Sequence, residues 1–396
     1  MIIRFFAYFY PPCIGGGEVI LANQARVLAS RGHEVHVHCT NYSNIALTST
    51  VDAGVTLEDG VNVHRYSSVV IPFSNPLEKD AVTPGFVAAM TKKADLLVAV
   101  GYPSIHLDLL LAKSKIQRIP LVVQNYVTAG FLDELLSKDG GVNKRIRSNY
   151  WKNIVRRELG AAELVLADSP SAASALSNRL KLDNVICHIG MAVDPAEFDE
   201  ITNQDKAAAR ESLGLKFEKI ILAPSRISVQ KGADILIEAA GPLLDDDTKL
   251  VIVGPVNDEE FYGKVRKLAE PYGDKIVFGK LPRNQLLALM KSAAVVTLPS
   301  RGETVGGVVF EGMYAGAIVV VSDAVEAARD DYLKHDENGL MFESENVEAL
   351  RAALKRGLVE QLNDLREAGY KMVATRFTWE TSVDRLLKLY NNAMEP

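Results

Sequence analysis

Short runs of apolar and β-branched residues alternate along the whole chain with stretches in which apolar positions recur every three or four residues. A period of two marks a strand and a period near 3.6 a helix, so the pattern predicts repeated βα units and mostly parallel sheets. In the first half the strands fall at 2–9, 34–39, 62–67, 95–100, 119–124, 163–167 and 185–189. The second half repeats the theme at 219–225, 249–254, 275–278, 294–299 and 317–322, with helical stretches such as 232–244 and 257–270 between them. Residues 41–61 read as a loop, and the segment from Asp194 to about Leu215, polar and poor in apolar positions, as a linker. That places one domain at 1–195, a second at 200–376 and the boundary near 195–200. The last segment sets Val383, Leu386, Leu387 and Tyr390 on one face and predicts a terminal amphipathic helix.

Length agrees with this division, because one hydrophobic core stops growing at about 250–300 residues and the chain has 396. With 48% hydrophobic and 24% charged residues, the composition excludes disordered and fibrous classes. Cys13, Cys39 and Cys187 are odd in number and show no C-x-x-C spacing, which points to a reducing compartment and a cytoplasmic protein. The opening MIIRFFAYFYPP is interrupted by Arg4 and ended by two prolines, so it reads as a first strand and not a signal peptide. No stretch reaches the ~18–20 apolar residues of a membrane span, which leaves only peripheral contact.

The net charge of −6 conceals a split: 19 basic and 18 acidic residues precede position 199, leaving 25 and 32 after it. Neither half carries the basic excess of a nucleic-acid binder. One cluster departs from this, since Lys144 to Arg157 holds six basic residues and no acidic one, with Ile146, Tyr150, Trp151 and Ile154 interleaved. The alternatives are a solvated helix face, an anionic-lipid surface or a negatively charged acceptor; Trp151 favours an interaction.

Three segments carry candidate chemistry. The first strand runs into Gly15-Gly16-Gly17-Glu18 and a helix; such a turn lets a ligand approach the backbone and offers free N–H groups to an anion, unless it is a plain tight turn. In the second half Arg226 stands just off the carboxyl end of a strand and Lys231 at the start of the next helix, where ligands sit in open α/β sheets. A guanidinium forks two phosphate oxygens and an ammonium adds a point charge, which suits a diphosphate; two solvated surface cations are the alternative. Pro299-Ser300-Arg301-Gly302-Glu303 then leads through Val305, Gly306 and Gly307 into a helix bearing Glu311. Two carboxylates bracketing a helix start can grip hydroxyls at two points of an elongated ligand whose phosphates rest on the N–H groups between them. Asp245-Asp246-Asp247 mimics a D-x-D metal motif but reads as a solvated turn. His36 and His38 share one strand face as metal ligands do, yet without a nearby partner they read as a packed or surface strand.

Taken in order, GGGE near the start, Arg226 with Lys231-Gly232, Val253-Gly254-Pro255, Phe278-Gly279-Lys280-Leu281, Pro299-Ser300-Arg301, the E-x(7)-E pair Glu303 and Glu311, Ala315-Gly316, Glu337-Asn338-Gly339 and Phe377-Thr378-Trp379-Glu380 resemble the retaining GT-B-fold glycosyltransferases of family four (glycosyl transferases group 1). The resemblance covers nearly the whole chain and is most specific in the second half. It implies an α/β fold with two Rossmann-like domains facing an interdomain cleft, the helix 379–396 packing back on the first. The implied activity is retaining hexosyl transfer from a nucleotide diphosphate sugar, UDP favoured over GDP, to the hydroxyl of a saccharide, lipid-linked or small-molecule acceptor, with no metal or other cofactor. Arg226 and Lys231 would hold the diphosphate in place of a metal. Glu303 and the N–H groups of Val305, Gly306 and Gly307 would meet donor sugar and phosphate, and Glu311 the ribose hydroxyls. Gly254-Pro255 and Lys280-Leu281 would line the nucleobase, with Gly16 approaching the phosphate from the opposite domain.

Gly15, Gly17, Glu18, His106 and Tyr126 are the candidates on the acceptor or sugar side. Where many members carry a histidine that meets the donor sugar, this chain has Tyr126, a phenol that hydrogen-bonds but cannot be cationic. A second histidine-bearing strand of the family reads Leu-Leu-Val-Ala-Val after Asp95, with His106 beyond it. A nucleotide-sugar 2-epimerase of the same fold and a non-catalytic sugar-nucleotide-binding protein are the rival readings.

Overall fold

Both halves of the chain build a parallel sheet from the apolar runs. A computed structural model describes all residues but 14, 45, 72–79, 102–105, 138–141, 217, 218 and 396. It divides into two units, Met1–Met191 with Trp379–Pro396, and Ala192–Thr378.

In the first unit the strands are β1 (Ile2–Ala7), β2 (Glu34–Thr40), β3 (Gly54–Glu58), β4 (Val61–Tyr66), β5 (Val69–Ile71), β6 (Asp80–Val82), β7 (Leu96–Val100), β8 (Leu121–Asn125), β9 (Leu164–Ala167) and β10 (Val185–Cys187). Eight form a sheet in the order β10-β9-β8-β7-β1-β2-β4-β3, parallel except for β3 against β4, while β5 and β6 form a separate antiparallel pair. The second unit holds β11 (Lys219–Ala223), β12 (Thr248–Val253), β13 (Ile276–Gly279), β14 (Val295–Leu298), β15 (Ile318–Ser322) and β16 (Leu340–Phe342). Their order β13-β12-β11-β14-β15-β16 is parallel throughout and reverses direction between β11 and β14. Strands buried on both faces, such as β12, explain the continuous apolar runs. Helices cover the sheets through cores such as Leu110, Val155 and Leu176 in the first unit and Leu236, Val265 and Leu354 in the second.

Three features differ from expectation for physical reasons. β3 lies in the stretch read as loop: its apolar Val55 and Leu57 face solvent, 64% and 73% exposed, so the strand has no buried face to announce it. β16 has only three residues. The polar segment expected to be a linker contains two helices, Pro195–Asp199 and Asn203–Glu211, capped by Asp194 and by a Thr202–Asp205 capping box. Both belong to the second unit, where Lys291 donates to the Phe198 carbonyl at 2.8 Å and Arg210 to that of Ser292 at 3.2 Å. The terminal helix Trp379–Met394 belongs to the first unit, held by Arg31 to Asp384 (2.7 Å) and Glu380 (2.6 Å).

Candidate active site

In an open parallel sheet the loops leaving the carboxyl ends of the strands meet at the point where strand order reverses. In the second unit the adjacent strands β13, β12, β11 and β14 send out loops carrying Lys280-Leu281, Gly254-Pro255, Arg226 to Lys231, and Glu303 to Gly307. The first three are stitched together by the backbone. Gly254 N–H donates to the Gly279 carbonyl at 3.0 Å, Ile227 N–H to the Pro255 carbonyl at 2.9 Å, and Asn257 N–H to the Ile227 carbonyl at 3.2 Å.

The β11 and β14 loops are bound more tightly still. Arg301 N–H donates to the Gln230 carbonyl at 2.8 Å, and Gln230 Nε2 to the Gly302 carbonyl at 2.6 Å. The Arg301 guanidinium grips both oxygens of Asp234 at 2.9 Å and the Val229 carbonyl at 2.5 Å, with Glu345 as a further partner. Gly232 turns the chain with φ +68°, and a Cβ there would stand 2.1 Å from the Pro299 carbonyl oxygen. Only glycine allows the β11 loop to lie against β14's end.

Within this frame Lys231 Nζ is ion-paired to Glu303 Oε2. Arg226 is exposed and has no side-chain partner among the described residues. Glu303 is held by its backbone, N–H to the Ala324 carbonyl and carbonyl to Glu326 N–H at 2.9 Å. The helix Gly307–Tyr314 starts from Gly306 in the left-handed region, so its first N–H groups have no intrahelical acceptor. The Val305 carbonyl just before it takes a 2.5 Å hydrogen bond from the buried Tyr332 hydroxyl. Two cations, a carboxylate and a helix start thus occupy adjacent loops, an arrangement able to hold a diphosphate and the sugar attached to it.

Glu311 lies one turn into that helix and is 17% exposed. It accepts from Arg283 Nη1 at 2.6 Å, and Arg283 Nη2 reaches Glu197 at 2.8 Å. Burial pushes the Glu311 carboxyl up and the Arg283 guanidinium pulls it back. Arg283, Glu197, Arg301, Gln230 and Tyr332 were not among the sequence candidates. Arg283 alone left a sequence signal, a cation opening a helix with no acidic residue in its first turn.

The corresponding edge of the first unit is built differently. Glu18 folds back over Gly15, its Oε2 lying 2.2 Å from where a Cβ would be, and the Tyr126 ring lies 3.0 Å from the same point on Gly17. Gly16 is the open one of the three, with Met191 Cε at 3.9 Å. The Tyr126 hydroxyl donates to Gln124 Oε1 at 3.0 Å, and Gln124 Nε2 donates to Gln24 Oε1 and to the Tyr390 hydroxyl, each at 3.0 Å. Burial, then the nearby Asp168, Tyr390 and Glu18, holds the Tyr126 phenol well above its usual range. Burial also pushes the Asp168 carboxyl up to about 8, against a hydrogen bond from the Gly190 backbone. His106 is buried; its Nε2 accepts from Thr83 N–H at 3.2 Å and its ring meets Phe86 edge-on at 4.7 Å.

The other histidines form a ladder. His36 and His64 ring nitrogens lie 3.0 Å apart, His38 Nδ1 meets the Tyr66 hydroxyl at 2.9 Å, and the His38 and His64 rings stack at 4.5 Å. Burial, then the neighbouring imidazoles and Arg4, pushes His38 down to about 2 and His64 to about 4. Among the described residues no group of three His, Cys, Asp or Glu side chains is placed to hold a metal ion. The Asp245–Asp247 run is a turn, Asp247 N–H donating to Asp245 Oδ1 at 3.0 Å. In the basic stretch Trp151 is a core residue, so it does not favour a surface interaction as expected; the exposed apolar side chains are Ile146, Tyr150 and Ile154. No helix of the described residues is long and apolar enough to cross a membrane.

Comparison with known proteins agrees with these two units. The model of Glycosyltransferase Family 4 matches residues 14–197 and that of Glycosyl transferases group 1 matches 205–372. A D-inositol 3-phosphate glycosyltransferase of Catenulispora acidiphila is 31% identical, covering 96% of this chain and 91% of its own. An uncharacterized glycosyltransferase of Methanocaldococcus jannaschii is 27% identical over 100% of this chain and 99% of its own. Among solved structures, HepE of Anabaena in complex with UDP superposes with a TM-score of 0.73 at 20% identity, covering 99% of this chain and 100% of that one. Sucrose-phosphate synthase of Thermosynechococcus elongatus gives 0.74 at 19% identity and 99% coverage of each. Sequence relatives along the whole chain and a shared pair of Rossmann-like units place it together: the chain belongs to the family-four glycosyltransferases of the GT-B fold.

Proposed function

We propose that the chain transfers a hexose from a nucleoside diphosphate sugar, UDP ahead of GDP, to an acceptor hydroxyl with retention at the anomeric carbon and without a metal ion. The observation that carries this reading is the gathering of Arg226, Lys231, Glu303 and the Gly307–Tyr314 helix start on the adjacent loops of β11 and β14. Cleavage of the anomeric C–O bond leaves negative charge on the diphosphate and oxocarbenium character on the sugar. Arg226, Lys231 and the helix start stabilise the first; preplaced donors of this kind supply several kcal/mol. Glu303 takes sugar hydroxyls once Lys231 turns to phosphate, Glu311 takes the ribose, and the departing phosphate oxygen takes the acceptor proton. The UDP and UDP-glucose bound by HepE support the choice of uridine donor.

Incubation with labelled UDP-glucose tests the reading. Label on an acceptor or slow release as free glucose is expected; an epimerised nucleotide sugar, or binding of every donor without turnover, would overturn it. Peripheral contact with the inner membrane face belongs to the same proposal: Ile146, Tyr150 and Ile154 stand exposed beside Lys144, Arg145, Arg156 and Arg157, which suits an anionic lipid surface.

A further inference from the structure

The helix Arg283–Met290 opens with a cation at its positive end, without a side-chain cap and without an acidic residue in its first turn. A helix start disfavours positive charge, so this position breaks a local rule. What answers it comes from far away in sequence: Glu311, 28 residues on, and Glu197, 86 residues back. Arg283 bridges the two, with Nη1 2.6 Å from Glu311 Oε1 and Nη2 2.8 Å from Glu197 Oε2. Glu311 Oε2 takes no hydrogen bond from any described residue. Arg283 also stands three positions after Lys280, which the family resemblance sets beside the nucleobase.

We propose that Arg283 is a positioning residue for nucleotide recognition, holding the Glu311 carboxylate for a ribose diol while Glu197 holds Arg283. The inference rests on the reading in which Glu311 meets the ribose. A diol donates two hydrogen bonds, and an ionised carboxylate can accept both; a protonated one presents its own donor and loses an acceptor site. Burial favours the protonated form of Glu311, and Glu197, a second carboxylate on the helix Pro195–Asp199, favours it further. Arg283 is the charge that opposes both. It fixes the rotamer through Oε1 and leaves Oε2 for the ligand.

The test is calorimetric titration of the full chain with UDP and with 2′-deoxy-UDP, from about pH 5.5 to 8, for wild type, Glu311→Gln, Arg283→Gln, Arg283→Lys and Glu197→Gln. Circular dichroism checks folding. Wild type binds UDP more tightly than the deoxy analogue, and the ratio of the two affinities holds across the range, since the terminal phosphate titrates alike in both ligands. Arg283→Gln loses about tenfold in UDP affinity at neutral pH, the size of one charged hydrogen bond, and loses more as pH falls. Its loss for the deoxy analogue is smaller. Arg283→Lys recovers part of the affinity and of the wild-type ratio of UDP to deoxy analogue, and Glu197→Gln loses no more than Arg283→Gln. In turnover the loss falls on the donor KM and not on kcat. Wild-type affinity and profile in Arg283→Gln, with Glu311→Gln impaired, would overturn the inference and spare the reading beneath it. Wild-type affinity in Glu311→Gln, or equal binding of the two nucleotides by wild type, would overturn both.

Discussion

The sheet edges of the two units solve the same problem in opposite ways. In the second unit the loops after β11 and β14 are fixed by charge, Arg301 to Asp234 and Lys231 to Glu303, and Arg283 joins Glu311 and Glu197 on the helices beside them. In the first unit the glycine-rich turn carries the charged Glu18, but Gln24, Gln124, Tyr126 and Tyr390 beside it are joined by neutral hydrogen bonds, next to a carboxyl that burial keeps protonated near neutrality. Charge at a strand end is what an anionic diphosphate requires. Neutral donors and acceptors can meet hydroxyls, as carboxylates can, but give no charge for an anion to find. The comparison explains how a unit with an acidic excess can take an anion: affinity arises from a few cations and a helix start placed locally against the overall field.

The largest effect is expected at Glu303: Glu303→Ala should lower turnover of a nucleotide sugar by about a hundredfold or more, the size of one lost transition-state contact in a dry site. Near wild-type rates in a steady-state assay would sever the charged edge from catalysis. Next come the two glycines. Gly232→Ala faces a backbone oxygen and a positive φ and should cost about 2–4 kcal/mol in chemical denaturation. Gly17→Ala meets a side chain and no backbone, the Tyr126 ring at 3.0 Å, and should cost about 1 kcal/mol. Equal losses would show that the side chain gives no more than the backbone.

Within the first unit, acidity acts in two opposite senses. His38 and His64 are held below the 6.5 of a free imidazole, so below that pH the unfolded chain binds more protons and the fold weakens as pH falls toward 4. Asp168, raised from 3.8 to about 8, works the other way: the folded form holds the extra proton and stability is lost as pH rises through 8. Between about pH 6.5 and 8 the melting temperature of Asp168→Asn should therefore gain on that of wild type; parallel curves would contradict the buried neutral carboxyl. The smallest effect concerns the basic stretch. Neutralising Lys144, Arg145 and Arg147 should weaken binding to anionic liposomes by about 1 kcal/mol per charge at the surface. Arg147 contributes least, since it already donates to the Glu134 carbonyl. Unchanged binding would leave the stretch a solvated helix face.

Legibility follows the same division. Arg226, Lys231, Glu303 and Glu311 could be read because each stands at a fixed offset from a strand end and from a glycine with a backbone reason to be there, as Gly232 and Gly306 have. The seven strands foreseen in the first half exist, and those buried on both faces, such as β8 and β9, show why: they need continuous apolar runs. What escaped depends on pairing between distant positions. Arg283 finds its carboxylates far off in sequence, Gln124 finds Tyr390 across 266 residues, and no local pattern announces either. Trp151 misled because a helix with charge on most sides still buries one face, and the aromatic ring lies on it. The segment after Asp194 misled because helices secured by caps do not need an apolar stripe wide enough to see.

In the proposed function, four loops on one sheet edge of the second unit form the nucleotide site. Hydrogen–deuterium exchange of the full chain with and without saturating UDP tests it most directly. Protection is predicted at 226–232, 254–257, 280–283 and 301–311, with the histidine ladder of β2 and β4 unchanged; exchange unaltered in those four segments would contradict the account.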